Sequence, residues 1–180
     1  MKCGGTINDF DCKLCSNLFE CDRFYILEDY FVLQSFIYKS KVSKEVAEYS
    51  SFNLSGLIQQ SNYSFDHIVF VPSRNNSHWL NNCLNDEDKD RVFAPLLKNP
   101  QKLSQKLLNR HHRIRNSVNL FIRSDDFKTN LGSILLIDDV VSTGNSLQSV
   151  IQELHNMGYR NISVLVLAYQ KLEKSDRRSL

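Results

Sequence analysis

Ile134-Leu135-Leu136-Ile137-Asp138-Asp139-Val140-Val141-Ser142-Thr143-Gly144-Asn145-Ser146-Leu147 is the stretch that decides the fold. Ser133 to Ile137 is apolar enough for a buried strand. It delivers two adjacent carboxylates, Asp138 and Asp139, at its C-terminal end. Small hydroxyl residues around Gly144 then lead into a helix predicted from about Leu147 to Met157, with Leu147, Val150, Ile151 and Leu154 at i, i+3, i+4 and i+7. Asn145 or Ser146 is expected to cap its start, since Asn145 and Gln148 have capping-box spacing. Gly158 stands where a left-handed C′ residue belongs. Ile162 to Leu167 makes a second apolar strand. Strand, helix, strand is a βαβ unit, which predicts a parallel sheet with a right-handed crossover.

The same stretch carries chemistry. Ligands of open α/β sheets bind at the C-terminal ends of the strands. A helix N-terminus offers unpaired N–H groups and positive potential, which suits a phosphate. Ser142, Thr143 and Ser146 add hydroxyls, and Gly144 lets the backbone approach closely. Two carboxylates beside a phosphate make sense when the ligand also carries hydroxyls or Mg²⁺, as a ribose 5-phosphate does. A capped βα turn with two solvated acids is the blander alternative. No Gly-Lys-Ser/Thr follows, so this is not a Walker loop.

Working outward, His67 to Val71 reads as a buried strand ended by Pro72. Phe31 to Ile37 can form a short amphipathic helix, and residues 43–60 a weaker one. Residues 73–90 read as polar and irregular, and 101–110 as helical. The 180 residues are 42% hydrophobic and 23% charged, values of a globular chain. No apolar run approaches the roughly 18–20 residues needed to span a bilayer. Met-Lys-Cys-Gly-Gly at the N-terminus has no apolar core behind its charge, so no ordinary secretory signal is expected, and the expected location is cytoplasmic. A net charge of +2 gives no global nucleic-acid signature.

Four of the five cysteines, Cys3, Cys12, Cys15 and Cys21, fall early in the chain. In a reducing compartment such a cluster reads as metal ligands before disulfides, and four thiolates can close a tetrahedral Zn²⁺ site. Cys83 stands apart. A local basic block is also present: no acid occurs from Arg91 to Arg123. Lys102, Lys106, Arg110 and Arg113 step by four and three, with Arg115 beyond. Such a stripe can track the backbone of single-stranded DNA or lie on a solvated face.

Residues 134–147 resemble the 5-phosphoribosyl-1-pyrophosphate (PRPP) motif of type I phosphoribosyltransferases: four apolar residues, two acids, two apolar residues, Ser/Thr-Thr-Gly, one residue, then Ser/Thr-Leu. Gln105, Leu108, Arg113-Ile114-Arg115-Asn116 and Phe121 resemble, in type and spacing, the stretch that precedes this motif in the ComF (ComFC) competence branch. The cysteine cluster and the aromatic segment from Tyr25 to Phe31, running on to Tyr38-Lys39, are similar to that branch too.

The resemblance implies an α/β fold: a Rossmann-like parallel sheet with a small hood and an N-terminal Cys-rich, zinc-knuckle-like segment. Residues 1–22 would be the knuckle, 23–170 the phosphoribosyltransferase-like domain and 171–180 a charged tail. It implies PRPP binding and Mg²⁺-dependent displacement of pyrophosphate at ribose C1, a glycosyltransferase reaction linked to DNA uptake in natural transformation. Single-stranded DNA and competence-machinery proteins would be the partners, with no membrane insertion. Asp138 and Asp139 would hold the ribose as the catalytic pair. Val140, Val141, Ser142, Thr143, Gly144, Asn145 and Ser146 would surround the 5-phosphate, with Arg74 or Arg113 at the pyrophosphate.

Two departures stand out. The acid that some purine-specific members carry at the position of Ser142 is absent, so no general base carries over. The family's usual Arg-Gly-Phe-Asn element after the first core strand is replaced by Pro72-Ser73-Arg74-Asn75-Asn76-Ser77-His78-Trp79. That substitution keeps open a second reading, a non-catalytic PRPP- or nucleotide-sensing adaptor that binds single-stranded DNA or a partner protein. Trp79 reads as a core or hood anchor, with a stacking platform as the alternative.

Overall fold

The computed structural model describes residues 13–42, 52–60, 64–73, 78–101, 120–124 and 132–170. Its frame is a four-stranded parallel sheet in the order β1-β6-β5-β2. The strands are β1 (Arg23–Asp29), β2 (His67–Phe70), β5 (Ile134–Val141) and β6 (Ile162–Tyr169). β5 and β6 lie in the middle. Ile134 to Ile137 are all buried, the near-continuous apolar run expected of a parallel strand covered on both faces.

Helices cover those faces. The first core contains Ile134, Leu136, Val164 and Val166 with Val150, Ile151 and Leu154 of α5 (Asn145–Asn156), and with Cys15 and Phe19 of α1 (Lys13–Phe19). The second contains Leu135, Ile137 and Leu167 with Leu54 and Ile58 of α3 (Leu54–Gln60) and Leu80 and Cys83 of the 3-10 helix Trp79–Cys83. Leu33 of α2 (Tyr30–Val42) packs at its margin. Over Ile134 to Ile137 the period-two alternation thus sends even residues to the first core and odd residues to the second. A separate antiparallel pair, β3 (Leu96–Lys98) with β4 (Phe121–Arg123), completes the described strands.

The expected βαβ unit is present as β5-α5-β6, and α5 ends as its sequence predicts. Gly158 has φ 97°. Its N–H donates to the His155 carbonyl, and the Tyr159 N–H reaches back to the Leu154 carbonyl, the paired bonds of a Schellman stop. Buried Tyr159 and Leu154 add the accompanying apolar contact.

Three expectations change, and one segment gains an assignment. The helix start is not capped by Asn145 or Ser146: the N-cap is Gly144, at φ 77° and ψ 0°, with no side-chain cap bond. An L side chain is strained at that φ, which is why glycine occupies it. The strand holding the acids does not stop at Ile137 but runs to Val141, so Asp138 and Asp139 are strand residues. Residues 73–90 are not simply irregular. Besides the 3-10 helix they form α4 (Asp86–Asp90), whose first turn is capped by the Asn85 side chain accepting from the Asp88 N–H at 2.8 Å. The aromatic segment after residue 22 is an edge strand of the sheet, β1, paired in parallel with β6 from Arg23↔Ser163 to Asp29↔Tyr169. α2 follows it directly, and the Asp29 carboxylate accepts from the Phe31 N–H at 2.9 Å in its first turn.

Candidate active site at the C-terminal ends of the central strands

β5 places Asp138 and Asp139 on opposite sides of one pleat, and two carboxylates this close cannot ionise independently. The Asp138 Oδ1 accepts from the Asp139 backbone N–H at 2.9 Å. Asp139 is 8% exposed and faces the second core. Its Oδ2 receives the Lys41 ammonium at 2.5 Å and the Trp79 indole N–H at 3.1 Å. Lys41 comes from the last turn of α2. Trp79 is fixed by an edge-on contact with Phe36 of the same helix, ring centres 5.6 Å apart.

These surroundings push the two acids apart. Burial, and then the charge of Asp139, raise the Asp138 pKa well above the ordinary carboxylate value, although Lys41 and Lys98 favour its ionised form. Burial acts the same way on Asp139, but Lys41, His78 and the two donated hydrogen bonds together outweigh it and leave that pKa below the ordinary value. The surroundings thus push the two pKa values apart, Asp138 upward and Asp139 downward. Asp138 is therefore the readier of the two to hold a proton, and Asp139 the readier to stay an acceptor.

His78 lies beside the pair. Its ring stacks on Phe70 at 5.1 Å, and its Nδ1 accepts from the Leu80 N–H at 3.4 Å. Burial lowers its pKa to about 4, so the imidazole is neutral at pH 7 and Lys41 is the cation that balances Asp139. Donor atoms of His78, Asp138 and Asp139 fall within 4.8 Å of one another. They do not suit a resident Mg²⁺. That ion prefers oxygen ligands and takes few protein groups, whereas here one donor is an imidazole and Asp139 is already neutralised by an ammonium.

Beyond the acids the chain turns. Val140 pairs with Ala168, and Val141 is a core residue at 3% exposure whose carbonyl accepts from the Gln170 N–H. Ser142, Thr143, Asn145 and Ser146 are half-buried around buried Gly144. The first N–H groups of any α-helix lack intrahelical acceptors, and here no side chain caps them. The turn therefore presents an uncapped helix start lined by hydroxyls, next to the acid pair.

Arg74, Lys102, Lys106, Arg110, Arg113 and Arg115 lie outside the described residues, as do Cys3, Cys12 and the tail 171–180. Within the basic block, Arg91 sits over the Phe65 ring at 4.1 Å and 3.6 Å from Asp88, a structural placement. Of the cysteines expected to bind Zn²⁺, Cys15 is 1% exposed in the first core and Cys21 packs against it. Two described thiols supply half of a tetrahedral donor set.

The sequence reading found the acids and the turn but missed Lys41 and His78, and it left Trp79 as an anchor. Only a basic residue in the last turn of an amphipathic segment signalled Lys41, a feature that commonly answers the helix dipole.

No curated protein matches the chain. Residues 78–179, more than half of it, match the family model of the phosphoribosyl transferase domain. That span holds His78, Trp79, both acids and the phosphate-suited turn, and the chain belongs to the phosphoribosyl transferase domain family.

Proposed function

We infer that the chain binds PRPP and transfers its phosphoribosyl group. One observation carries this reading: two carboxylates whose surroundings push their pKa values in opposite directions sit side by side on β5, next to an uncapped helix start whose N-cap glycine is left-handed. A vicinal diol needs hydrogen-bond acceptors, and Asp139, kept in its ionised form by Lys41, supplies one. The 5-phosphate would take the N–H groups and hydroxyls of residues 142–146.

In the reaction the C1–oxygen bond to pyrophosphate breaks, with the electron pair leaving on pyrophosphate. The acceptor's lone pair forms the new bond at C1. The positive character that develops between these events is stabilised by the Asp139 carboxylate, and positioning supplies the rest. Mg²⁺, where used, would arrive with the pyrophosphate and offset its charge. The antiparallel pair β3-β4 is the candidate hood, since Lys98 of β3 acts on Asp138. A place in the ComF branch, with its link to DNA uptake, rests on the resemblances at residues 105–121, in the early cysteine cluster and in the aromatic segment from Tyr25 to Lys39.

Isothermal titration with PRPP and Mg²⁺ tests the reading. Wild type is expected to bind in the micromolar range. The double variant Asp138→Asn, Asp139→Asn is expected to lose at least about 100-fold, because each lost charged hydrogen bond costs about 1.5–3 kcal/mol. A folded wild type that binds no PRPP would leave the turn as inherited scaffold and favour the adaptor.

A further inference from the structure

We propose that Lys41 is a positioning residue of this site, delivered by a part of the chain outside the matched family domain. Its ammonium and the Trp79 indole clamp one oxygen of Asp139, leaving the other as the acceptor for a ligand hydroxyl. The inference rests on the function proposed above and deepens it by naming what orients the ribose-binding acid.

The geometry is specific. Both bonds, from Lys41 at 2.5 Å and Trp79 at 3.1 Å, fall on Oδ2 of Asp139. Oδ1 takes no hydrogen bond among the described residues. The two donors arrive from different elements: Trp79 opens the 3-10 helix, and Lys41 sits in the last turn of α2. Those elements are tied to each other by the contact of Phe36 with Trp79. The Lys41 side chain is 36% exposed and that of Asp139 12%, so one end of the pair reaches water while the other is held inside.

The family match begins at residue 78. Lys41 therefore belongs to the preceding segment, which contributes β1 to the sheet and α2 to the site. β1 pairs with β6 and α2 follows without a gap, so pairing at the edge of the sheet sets where the Lys41 ammonium lies. On this account the N-terminal part of the chain completes the active centre.

The charged and titratable groups around Asp139 are Lys41 from α2, His78 ahead of the 3-10 helix, Asp138 on its own strand, and Lys98 of β3 through Asp138. His78 is neutral at pH 7, and Lys98 acts on the neighbour. Removing Lys41 therefore removes the cation that favours ionised Asp139, and protonation then extends to higher pH.

The test compares wild type with Lys41→Met, Lys41→Gln and Lys41→Arg, using PRPP and, separately, ribose 5-phosphate, which lacks the pyrophosphate. Positioning predicts that Lys41→Met and Lys41→Gln weaken both ligands by about tenfold. It also predicts that the acid limb of binding moves up by about one pH unit, the size of shift an adjacent opposite charge produces. Lys41→Arg should restore both. Weakening of PRPP alone would overturn the proposal, because Lys41 would then touch pyrophosphate instead of orienting Asp139. Unchanged affinities and an unchanged acid limb would overturn it as well. If wild type binds neither sugar phosphate, the functional reading itself fails. The clamp is then judged by ¹³C NMR titration of the Asp139 carboxyl. A midpoint about one unit higher in Lys41→Met supports it, and an unmoved midpoint contradicts it.

Discussion

Truncating Leu136 to alanine is expected to lower the unfolding free energy by about 3 kcal/mol, within the range of about 2–5 found for buried leucines. Leu136 is 0% exposed. It lies on β5, one of the two central strands, opposite Val69 on one side and Val164 on the other. Its face of the sheet meets Val150, Ile151 and Leu154 of α5 in the first core. Strands on both flanks and a helix above restrict collapse around the gap, which places the cost well inside that range. The loss would be a large part of the stability of an ordinary domain. Urea unfolding should show a lower midpoint with an unchanged slope. A midpoint within error of wild type would mean that this core is not packed as described.

Replacing Thr143 by glutamate is expected to move ligand binding and stability in opposite directions. Thr143 is half-buried, one residue before the N-cap Gly144 of α5. A carboxylate there faces the positive end of the helix and should stabilise the fold by about 0.3–1 kcal/mol. The same carboxylate would stand where the turn is argued to hold a 5-phosphate. Two unit charges about 4 Å apart at an effective dielectric near 20 repel by about 4 kcal/mol. PRPP affinity should therefore fall by about 1000-fold. Titration calorimetry and thermal unfolding on the same sample separate the two effects. Affinity retained in Thr143→Glu would place the phosphate elsewhere.

The legible part of this chain was its βαβ unit. Apolar runs bounded by turn residues, and a helix with one apolar stripe, are local patterns, and β5, α5 and β6 follow from them. The Schellman stop at Gly158 was readable for the same reason. β1 was not, because its apolar run, Phe24 to Leu27, is short and flanked by Arg23 on one side and Glu28-Asp29 on the other. It becomes a strand by pairing with β6, far along the chain. α4 left a signal that was passed over: Asn85 followed by Asp86, Glu87 and Asp88 is an N-cap with acids in the first turn. The cap of α5 was misassigned because spacing favoured a side chain, whereas the backbone turn demanded a left-handed residue, and only Gly144 fits.

At the site, the acid pair and the turn were legible because a contiguous stretch of chain builds them. Their regulators were not. Lys41, Trp79 and His78 come from separate segments and meet Asp139 only once α2 and the 3-10 helix have packed on the second face of the sheet. The opposite directions in which the two pKa values move depend on those contacts, so no reading of Asp138-Asp139 as a dipeptide could supply them.

The most direct test of the central claim is an NMR titration of the ¹⁵N-labelled full chain with PRPP and Mg²⁺. The account predicts saturable shifts in the backbone amides of residues 142–146, together with a shift of the indole N–H of Trp79, the single tryptophan of the chain. Shifts confined to other residues, or none up to millimolar PRPP, would contradict it.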